Sequence, residues 1–134
     1  MDSENTPRPV SLSRLGQIGV AVADLEAMTT FYRDVLGLPF LFAAPGMSFF
    51  DCGGVRLMLS LPEQGHQEDR GSILYFAVPD IAAAHRALAD RGAAFLGPPH
   101  VVHRAPGMEL WMAFFRDPEG NLLALMSEVP VPAP

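Results

Sequence analysis

The chain reads Val22-Ala23-Asp24-Leu25 at one point and Val78-Pro79-Asp80-Ile81 at another, with the two aspartates 56 residues apart. Each stretch follows a short apolar segment that predicts a strand, and each precedes apolar residues at helical spacing. An aspartate at this boundary favours a helix start, because its carboxylate accepts hydrogen bonds from the free N–H groups of the first turn. Each predicted helix ends near a glycine, Gly37 in the first copy and Gly92 in the second. The chain therefore contains two strand-to-helix units of one design.

A second pair of related stretches closes the two units. The first is Gly54-Val55-Arg56-Leu57-Met58-Leu59, and 66 residues later the chain reads Gly120-Asn121-Leu122-Leu123-Ala124-Leu125. Between the opening and closing stretches, short apolar segments separated by turn residues predict further strands. Two tandem copies of one supersecondary unit explain this order. The predicted fold class is therefore α+β, with two tandem βαβββ modules.

The predicted boundaries follow from these patterns. We expect an N-terminal tail at 1–12, one domain at 13–129 and a C-terminal tail at 130–134, where prolines disfavour a central strand. Within the domain, module one covers 13–62, a polar linker covers 63–71 and module two covers 72–129. Predicted strands cover 17–22, 40–43, 47–52, 55–61, 73–78, 94–96, 108–116 and 121–128. The segment from Gly97 to Gly107, with its prolines and glycines, is predicted as a solvated loop.

Composition limits the functional classes. The 134 residues suit a single domain with a proper core, and 49% of them are hydrophobic. The formal net charge of -6, without a run of Lys or Arg, disfavours nucleic acid as a partner. Cys52 is the single cysteine, so we expect no disulfides and a cytoplasmic location. No stretch has the length and apolarity of a membrane span.

Alternation along the strands predicts which side chains lie under the helices. One set is bulky and apolar and is expected to pack against the helices: Ile18, Val20, Val22, Leu57, Leu59, Leu61, Leu74, Phe76, Val78, Leu123 and Leu125. The other set is mixed in size and polarity: Gln17, Gly19, Ala21, Arg56, Met58, Ser60, Ile73, Tyr75, Ala77, Leu122, Ala124 and Met126. Because small residues beside polar ones leave space, the second face is the predicted place for a ligand cavity.

The chain resembles the vicinal oxygen chelate superfamily, which includes glyoxalase I, extradiol dioxygenases and bleomycin-resistance proteins. Three stretches carry the resemblance: Ile18 to Leu25, Phe31-Tyr32-Arg33-Asp34-Val35-Leu36-Gly37-Leu38, and Phe114-Phe115-Arg116-Asp117-Pro118-Glu119-Gly120-Asn121. With the doubled order they cover about residues 13 to 129. The resemblance implies that the two modules form a curled mixed-sheet cup, and it implies a homodimer. It does not select one activity within the superfamily.

Members of that superfamily usually hold a divalent metal in the cup, with ligands from the first and last strands of each module. By offset from the motifs, the resemblance places these four positions at Gln17, Met58, Ile73 and Ala124. Zinc, nickel, iron and manganese need several nitrogen, oxygen or thiolate donors. Gln17 offers an amide oxygen and Met58 a soft thioether, whereas the side chains of Ile73 and Ala124 have no donor atom. A shift of one residue in any strand assembles no ligand set either, so we expect no metal cofactor.

Several other side chains are candidates for contact with a ligand, and each also has a possible structural role. Arg56 either clamps an anionic group or extends into water, and Tyr75 offers an amphipathic cavity wall. Trp111 and Met112 alternate on one strand, so one of them faces the cavity. His100 and His103 are expected in a solvated loop. The predicted ligand-binding residues are Gln17, Arg56, Met58, Ile73, Tyr75, Trp111, Leu122, Ala124 and Met126.

Three functions remain open from the sequence. The favoured one is a metal-independent protein that binds a partly apolar small molecule, as in drug sequestration of the bleomycin-resistance type. The second is a glyoxalase-like or dioxygenase-like enzyme with an atypical or absent metal, for which the sequence offers no convincing acid, base or ligand set. The third is a structural or regulatory dimer with a vestigial pocket.

Overall fold

The computed structural model describes residue 10, residues 13–62 and residues 72–132. The predicted linker at 63–71, with His66, lies outside the described residues, as does most of the predicted N-terminal tail.

Module one forms a four-stranded sheet covered by one helix. Its elements are β1 (Gln17–Ala21), helix α1 (Leu25–Thr30) with a π-helical turn at Phe31–Val35, β2 (Phe40–Ala44), β3 (Met47–Cys52) and β4 (Val55–Ser60). The strand order is β1-β4-β3-β2, in which β1 and β4 are parallel and the other pairs are antiparallel. Helix α1 carries the chain from β1 at one edge of the sheet to β2 at the other edge. The chain then returns through β3 to β4, which can therefore lie parallel to β1.

Module two repeats this plan with one interruption. Its elements are β5 (Leu74–Ala77), α2 (Ile81–Asp90), β6 (Ala94–Phe95), β7 (His100–Ala105), β8 (Met108–Arg116) and β9 (Leu122–Pro130). The path β5-β9-β8-β6 matches the order of the first sheet, and β7 also pairs with β8. Consequently β6 and β7 lie where β2 lies in module one, as one strand broken in two. The predicted α+β fold of two βαβββ modules is confirmed.

The predicted loop before β8 is wrong. His100–Ala105 forms a strand that pairs antiparallel with β8, with a register shift between Val101 and His103. Pro106-Gly107 forms a tight turn between these strands, and β8 is long enough to pair with both β6 and β7. The Pro/Gly content of the segment thus marks the two ends of a strand rather than a continuous loop.

The last strand runs further than the sequence predicts. β9 continues through Pro130, which lies opposite Met108, and the N–H of Val131 donates to the carbonyl of Gly107 at 3.0 Å. Proline is accommodated here because it lies at the end of the strand, where its missing N–H removes no bond from the interior of the ladder.

The predicted alternation separates the two faces of each sheet correctly. Helix α1 packs on β3 and β4, and α2 packs on β8 and β9. Leu61 is the exception to the predicted set, because it lies just beyond β4 and is 43% exposed. The buried core combines residues of both modules: Val22, Met28, Phe31, Tyr32, Phe50, Leu57, Leu59, Ile81, Leu88, Ala93, Ala113, Phe115, Leu123 and Leu125.

Both helix starts and both helix ends follow the predicted signals. Asp24 accepts a hydrogen bond from the N–H of Ala27 at 3.0 Å, and Asp80 accepts one from the N–H of Ala83 at 3.1 Å. The two glycines at the helix ends have φ values of 75° and 102°. These values lie in the left-handed region that glycine adopts without a steric penalty. None of the helices in the described part of the chain is long and apolar enough to cross a membrane.

The turn between β8 and β9 connects the two modules. Both carboxylate oxygens of Glu119 accept the N–H of Ala23 at 2.9 Å, and one of them accepts the N–H of Asp24 at 2.7 Å. Asp117, which is 5% exposed, accepts a bond from the hydroxyl of Tyr32 at 3.4 Å. On the helix side, Nη1 of Arg91 donates to the carbonyl of Val35 at 3.1 Å. Module two is therefore bonded to both ends of the helical segment of module one.

Asp117 also organises its own turn. Its carboxylate accepts the N–H groups of Glu119 and Asn121 at 3.0 and 2.9 Å and the side-chain amide of Asn121 at 2.8 Å. A buried carboxylate is stable when its oxygens accept several hydrogen bonds of this kind. The turn is thus held in the conformation that directs Glu119 at module one.

We expect Asp117→Ala to lower the free energy of unfolding by about 2 to 4 kcal/mol, because it removes several hydrogen bonds to a buried charged group. The measurement is urea denaturation. Asp80→Ala is the matched control, because it removes only a helix N-cap and should cost about 1 kcal/mol. Equal losses in the two variants would contradict a special role for the 117–121 turn.

A second prediction concerns alkaline pH. Burial raises the pKa of the Tyr32 hydroxyl above its usual range, and the Asp117 carboxylate raises it further. Because the folded-state pKa exceeds the unfolded value of about 10, the stability that Tyr32 contributes is fully present below that pH. It is lost as the pH rises through the folded-state pKa, by up to about 1.4 kcal/mol per pH unit.

Urea denaturation across this pH range measures the effect. Tyr32→Phe should reduce the alkaline loss of stability, whereas Tyr75→Phe, which keeps Tyr32, should retain it. An unchanged pH dependence in Tyr32→Phe would refute the assignment.

Candidate functional site

Three of the predicted binding residues form a connected group on the first sheet. Gln17 lies opposite Arg56 in the β1–β4 ladder, and the Nε of Arg56 donates to the Oε1 of Gln17 at 2.8 Å. The Nε2 of Gln17 lies 3.7 Å from the sulfur of Met58. All three side chains project from the face that the helix does not cover, which we call the open face. The amide of Gln17 and the guanidinium of Arg56 therefore form a polar group beside the thioether of Met58.

Two phenylalanines outside the predicted binding residues extend this group. Phe49 lies opposite Met58 in the β3–β4 ladder, and the guanidinium carbon of Arg56 lies 5.3 Å from the Phe49 ring centre. Phe42 stacks on Phe49 with ring centroids 4.4 Å apart. The cation–π contact holds the Arg56 side chain along the sheet. Alternation along the predicted strand at 47–52, counted from Met58 across the hairpin, is the signal that locates Phe49.

The second sheet presents a more apolar open face. Tyr75 lies opposite Ala124 on β9, and Ala124 lies opposite Phe114 on β8. The rings of Tyr75 and Phe114 are 6.4 Å apart and meet edge to face. Ala124 is fully buried although it lies on the open face. Met126 lies opposite Met112, which continues this apolar surface along the strands.

Trp111 does not join this surface. It shares the face of Ala113 and Phe115, packs against the hydrophobic core, and donates from Nε1 to a carboxylate oxygen of Glu109 at 3.2 Å. Met112 is therefore the member of that pair on the open face. The choice was open in the sequence because the register of the long strand β8 is fixed only by its pairing with β9.

Two cavities adjoin the open face. The larger has a volume of about 610 Å³ and lies between the free edge of β1 and the starts of β5 and β9. Its lining combines residues of the open face, such as Gly19 and Leu122, with residues of the helix-covered face and the core, such as Val20 and Tyr32. In the described part of the chain, β1 pairs only with β4, and β5 pairs only with β9. The two module edges therefore face this space without a ladder between them.

The smaller cavity has a volume of about 290 Å³ and exists because the strand of module two is interrupted. Leu96, Gly97 and Pro98 separate β6 from β7 and form one wall, and His100 and Phe114 form another. Leu122 lines both cavities. Neither His100 nor Phe114 is among the predicted binding residues. His100 is predicted in a loop, and only its place on β7 brings it beside Phe114.

The four positions that resemblance assigns to a metal do not fit one. Gln17 and Met58 contact each other, Tyr75 rather than Ile73 lies opposite Ala124, and neither Ile73 nor Ala124 has a donor atom in its side chain. Among the described residues, no group of three or more His, Cys, Asp or Glu side chains is placed to hold a metal ion. An amide and a thioether do not satisfy the donor requirements of zinc, nickel, iron or manganese.

Solved structures with this arrangement share the fold at low sequence identity. An integron cassette protein from the mobile metagenome of V. cholerae is 22% identical, with a TM-score of 0.74, over 90% of this chain and 98% of that chain. A lactoylglutathione lyase from Agrobacterium tumefaciens is 24% identical, with a TM-score of 0.68, over 87% of this chain and 94% of that chain.

A member of the glyoxalase, bleomycin resistance protein and dioxygenase superfamily from Sphaerobacter thermophilus is 23% identical, with a TM-score of 0.69, over 87% of this chain and 98% of that chain. No curated protein has a sequence that matches this chain. The family model described as Glyoxalase/Bleomycin resistance protein/Dioxygenase superfamily matches residues 14–125. This match covers both modules and confirms the resemblance in the sequence, so the chain belongs to the glyoxalase, bleomycin resistance protein and dioxygenase superfamily.

Proposed function

We propose that this protein binds a partly apolar small molecule on the open face without a divalent metal. The observation that carries the proposal is the position of Leu122, which lines both the cavity between the modules and the cavity beside Phe114. A ligand that spans both spaces contacts β1 of one module and β8 and β9 of the other. Cavities of a few hundred cubic ångströms suit small organic ligands.

The chemistry of the lining supports a ligand with an apolar body and one polar group. Ile73, Phe114 and Leu122 line the two cavities with apolar and aromatic surface. Gln17 and Arg56 line neither cavity, but Gln17 directly precedes the cavity-lining Ile18, and the paired side chains offer hydrogen-bond donors at the start of β1. A carbonyl or an anionic oxygen on the ligand matches these donors. The metal-free part of the proposal rests on the poor donor chemistry of Gln17 and Met58.

The proposal includes a cytoplasmic homodimer. Support for the dimer comes from family resemblance and from three adjacent exposed apolar residues on the edge strand β2: Phe40, Leu41 and Phe42. Exposed apolar groups of this kind favour association. Sedimentation analysis of the native protein and of Leu41→Lys tests this part independently of ligand binding.

A thermal-shift screen with apolar, anionic and cationic compounds tests the pocket. A compound that binds only the folded protein raises its stability by about 2.7 kcal/mol at a hundredfold excess over Kd. Gly19→Leu should abolish the shift, because Gly19 lines the larger cavity and a Cβ at this position would already lie 3.4 Å from the Met58 methyl carbon. Gly16→Leu is the matched control, since a Cβ there meets no atom within 4 Å.

The variants separate the possible outcomes. Loss of the shift in Gly19→Leu and its retention in Gly16→Leu support the proposal. If no compound stabilises the native protein, the pocket is vestigial and the proposed function is wrong.

Metal analysis tests the metal-free part of the proposal. Protein purified without chelator should carry zinc, nickel, iron and manganese well below one equivalent per chain, and a chelator should leave the ligand-induced thermal shift unchanged. A stoichiometric metal that is lost in Gln17→Ala would overturn this part, because Gln17 is the one assigned position with an oxygen donor.

A further inference from the structure

A third cavity lies at the module junction on the side of the helices. Its volume is about 680 Å³, and it shares no lining residue with the two cavities described above. The segment after α1 contributes Leu36 and Leu38, and α2 contributes Ala84, Ala87 and Leu88. The edge strand β5 and the turn after β3 complete the lining. This cavity is comparable in volume with the larger open-face cavity and is mainly apolar.

The internal repeat relates this junction to the one held by the turn at 117–121. Leu88 follows Tyr32 by 56 residues, which is the spacing of Asp24 and Asp80. Met58 and Ala124 are equivalent in the repeat, and they pair with Phe49 and Phe114, so these two phenylalanines are also equivalent. Three residues after each phenylalanine, Cys52 in module one corresponds to Asp117 in module two. Each half of the chain therefore contributes an equivalent corner to the junction.

The two corners differ in chemistry. At the first corner, Tyr32 and Asp117 are hydrogen-bonded, and Glu119 accepts backbone N–H groups of module one. At the second corner, Leu88 replaces the tyrosine and Cys52 replaces the aspartate, while the turn that follows is Gly53-Gly54 and carries no side chain. A leucine and a thiol form no comparable hydrogen-bonded contact. Each corner adjoins a cavity: Tyr32 and Asn121 line the larger open-face cavity, whereas Leu88 and Cys52 line the junction cavity. At the junction cavity the equivalent positions carry no hydroxyl or carboxylate, so its lining is the less polar of the two there.

The charges in the lining further limit the occupant. Arg91 and Asp51 both line the cavity and contribute one positive and one negative charge. Nη1 of Arg91 donates to the carbonyl of Val35, and Oδ1 of Asp51 accepts the N–H of Gly54, so backbone groups bond both charged side chains. Because the two charges cancel, the lining favours neither an anion nor a cation. A neutral apolar molecule fits it best.

We propose that this junction cavity is a second small-molecule site, which binds a neutral apolar compound between the segment after α1, β5 and α2. It shares no lining residue with the two open-face cavities, although Tyr75 of the open face lines it, and it does not rest on the function proposed for the open face. A ligand here contacts Leu38 of one module and Ala87 of the other, so it stabilises the contact between the modules.

The single cysteine makes occupancy directly measurable. Cys52 lines the cavity and is the only thiol of the chain, so alkylation reports on this place alone. Burial and the nearby Asp51 carboxylate raise the pKa of the Cys52 thiol, so the reaction is measured at mildly alkaline pH. The probe is N-phenyl-1-naphthylamine, a neutral aromatic amine whose fluorescence rises in apolar surroundings.

The variants are Ala87→Trp and Ala89→Trp, both on α2. Ala87 lines the cavity, so its replacement by tryptophan fills the space, whereas Ala89 is exposed and does not line it. We expect the native protein and Ala89→Trp to bind the probe, with at least about a tenfold weaker affinity in Ala87→Trp. Saturating probe should slow alkylation of Cys52 in the native protein by about tenfold.

Two results would overturn the proposal. One is equal probe binding in native protein and Ala87→Trp, which places the probe elsewhere, including the open face. The other is unchanged alkylation of Cys52 in native protein at saturating probe. The second measurement needs no variant, so it decides the question even if Ala87→Trp does not fold. A thermal-shift ligand of the open face that leaves Cys52 alkylation unchanged keeps the two sites separate.

Discussion

The contact on which the rest of the structure depends is the hydrogen-bonded turn around Asp117. The buried carboxylate fixes the turn by accepting the N–H groups of Glu119 and Asn121. In this conformation the side chain of Glu119 reaches the start of the helical segment of module one. Two sheets that share no ladder need such a contact, because β1 and β5 present free edges to each other in the described part of the chain. The apolar core then continues across both modules.

This way of joining the modules leaves space where the edges meet. A continuous ladder between β1 and β5 would close the larger open-face cavity, whereas joining at the corners keeps it open. The interruption between β6 and β7 opens the smaller one beside Phe114. The candidate site therefore depends on the absence of a ladder between β1 and β5 and on the break between β6 and β7, as well as on the side chains around it. Gln17 and Arg56 add polar groups at one side of a mainly apolar surface.

The two copies of the module have diverged, so equivalent positions of the repeated fold carry side chains of different chemistry. Equivalent positions carry Tyr32 and Leu88 at the helices, and Asp117 and Cys52 at the strand ends. The backbone plan tolerates these differences because helix capping and strand alternation are preserved in each copy. One corner carries the hydrogen bond between Tyr32 and the buried carboxylate of Asp117, and the other has no side-chain contact of this kind at the equivalent positions. The same framework therefore forms a cavity at both corners but a buried, hydrogen-bonded carboxylate at only one of them.

The sequence by itself determined the doubled βαβββ order, the helix caps at Asp24 and Asp80, and the face on which Gln17, Met58 and Ala124 lie. These features are local, since they depend on periodicity, capping and turn residues within a few positions of each other. Only the tertiary structure decided that His100–Ala105 pairs with β8, that Met112 rather than Trp111 lies on the open face, and that Glu119 reaches module one. Those outcomes depend on register and on contacts between distant segments, which local patterns do not encode.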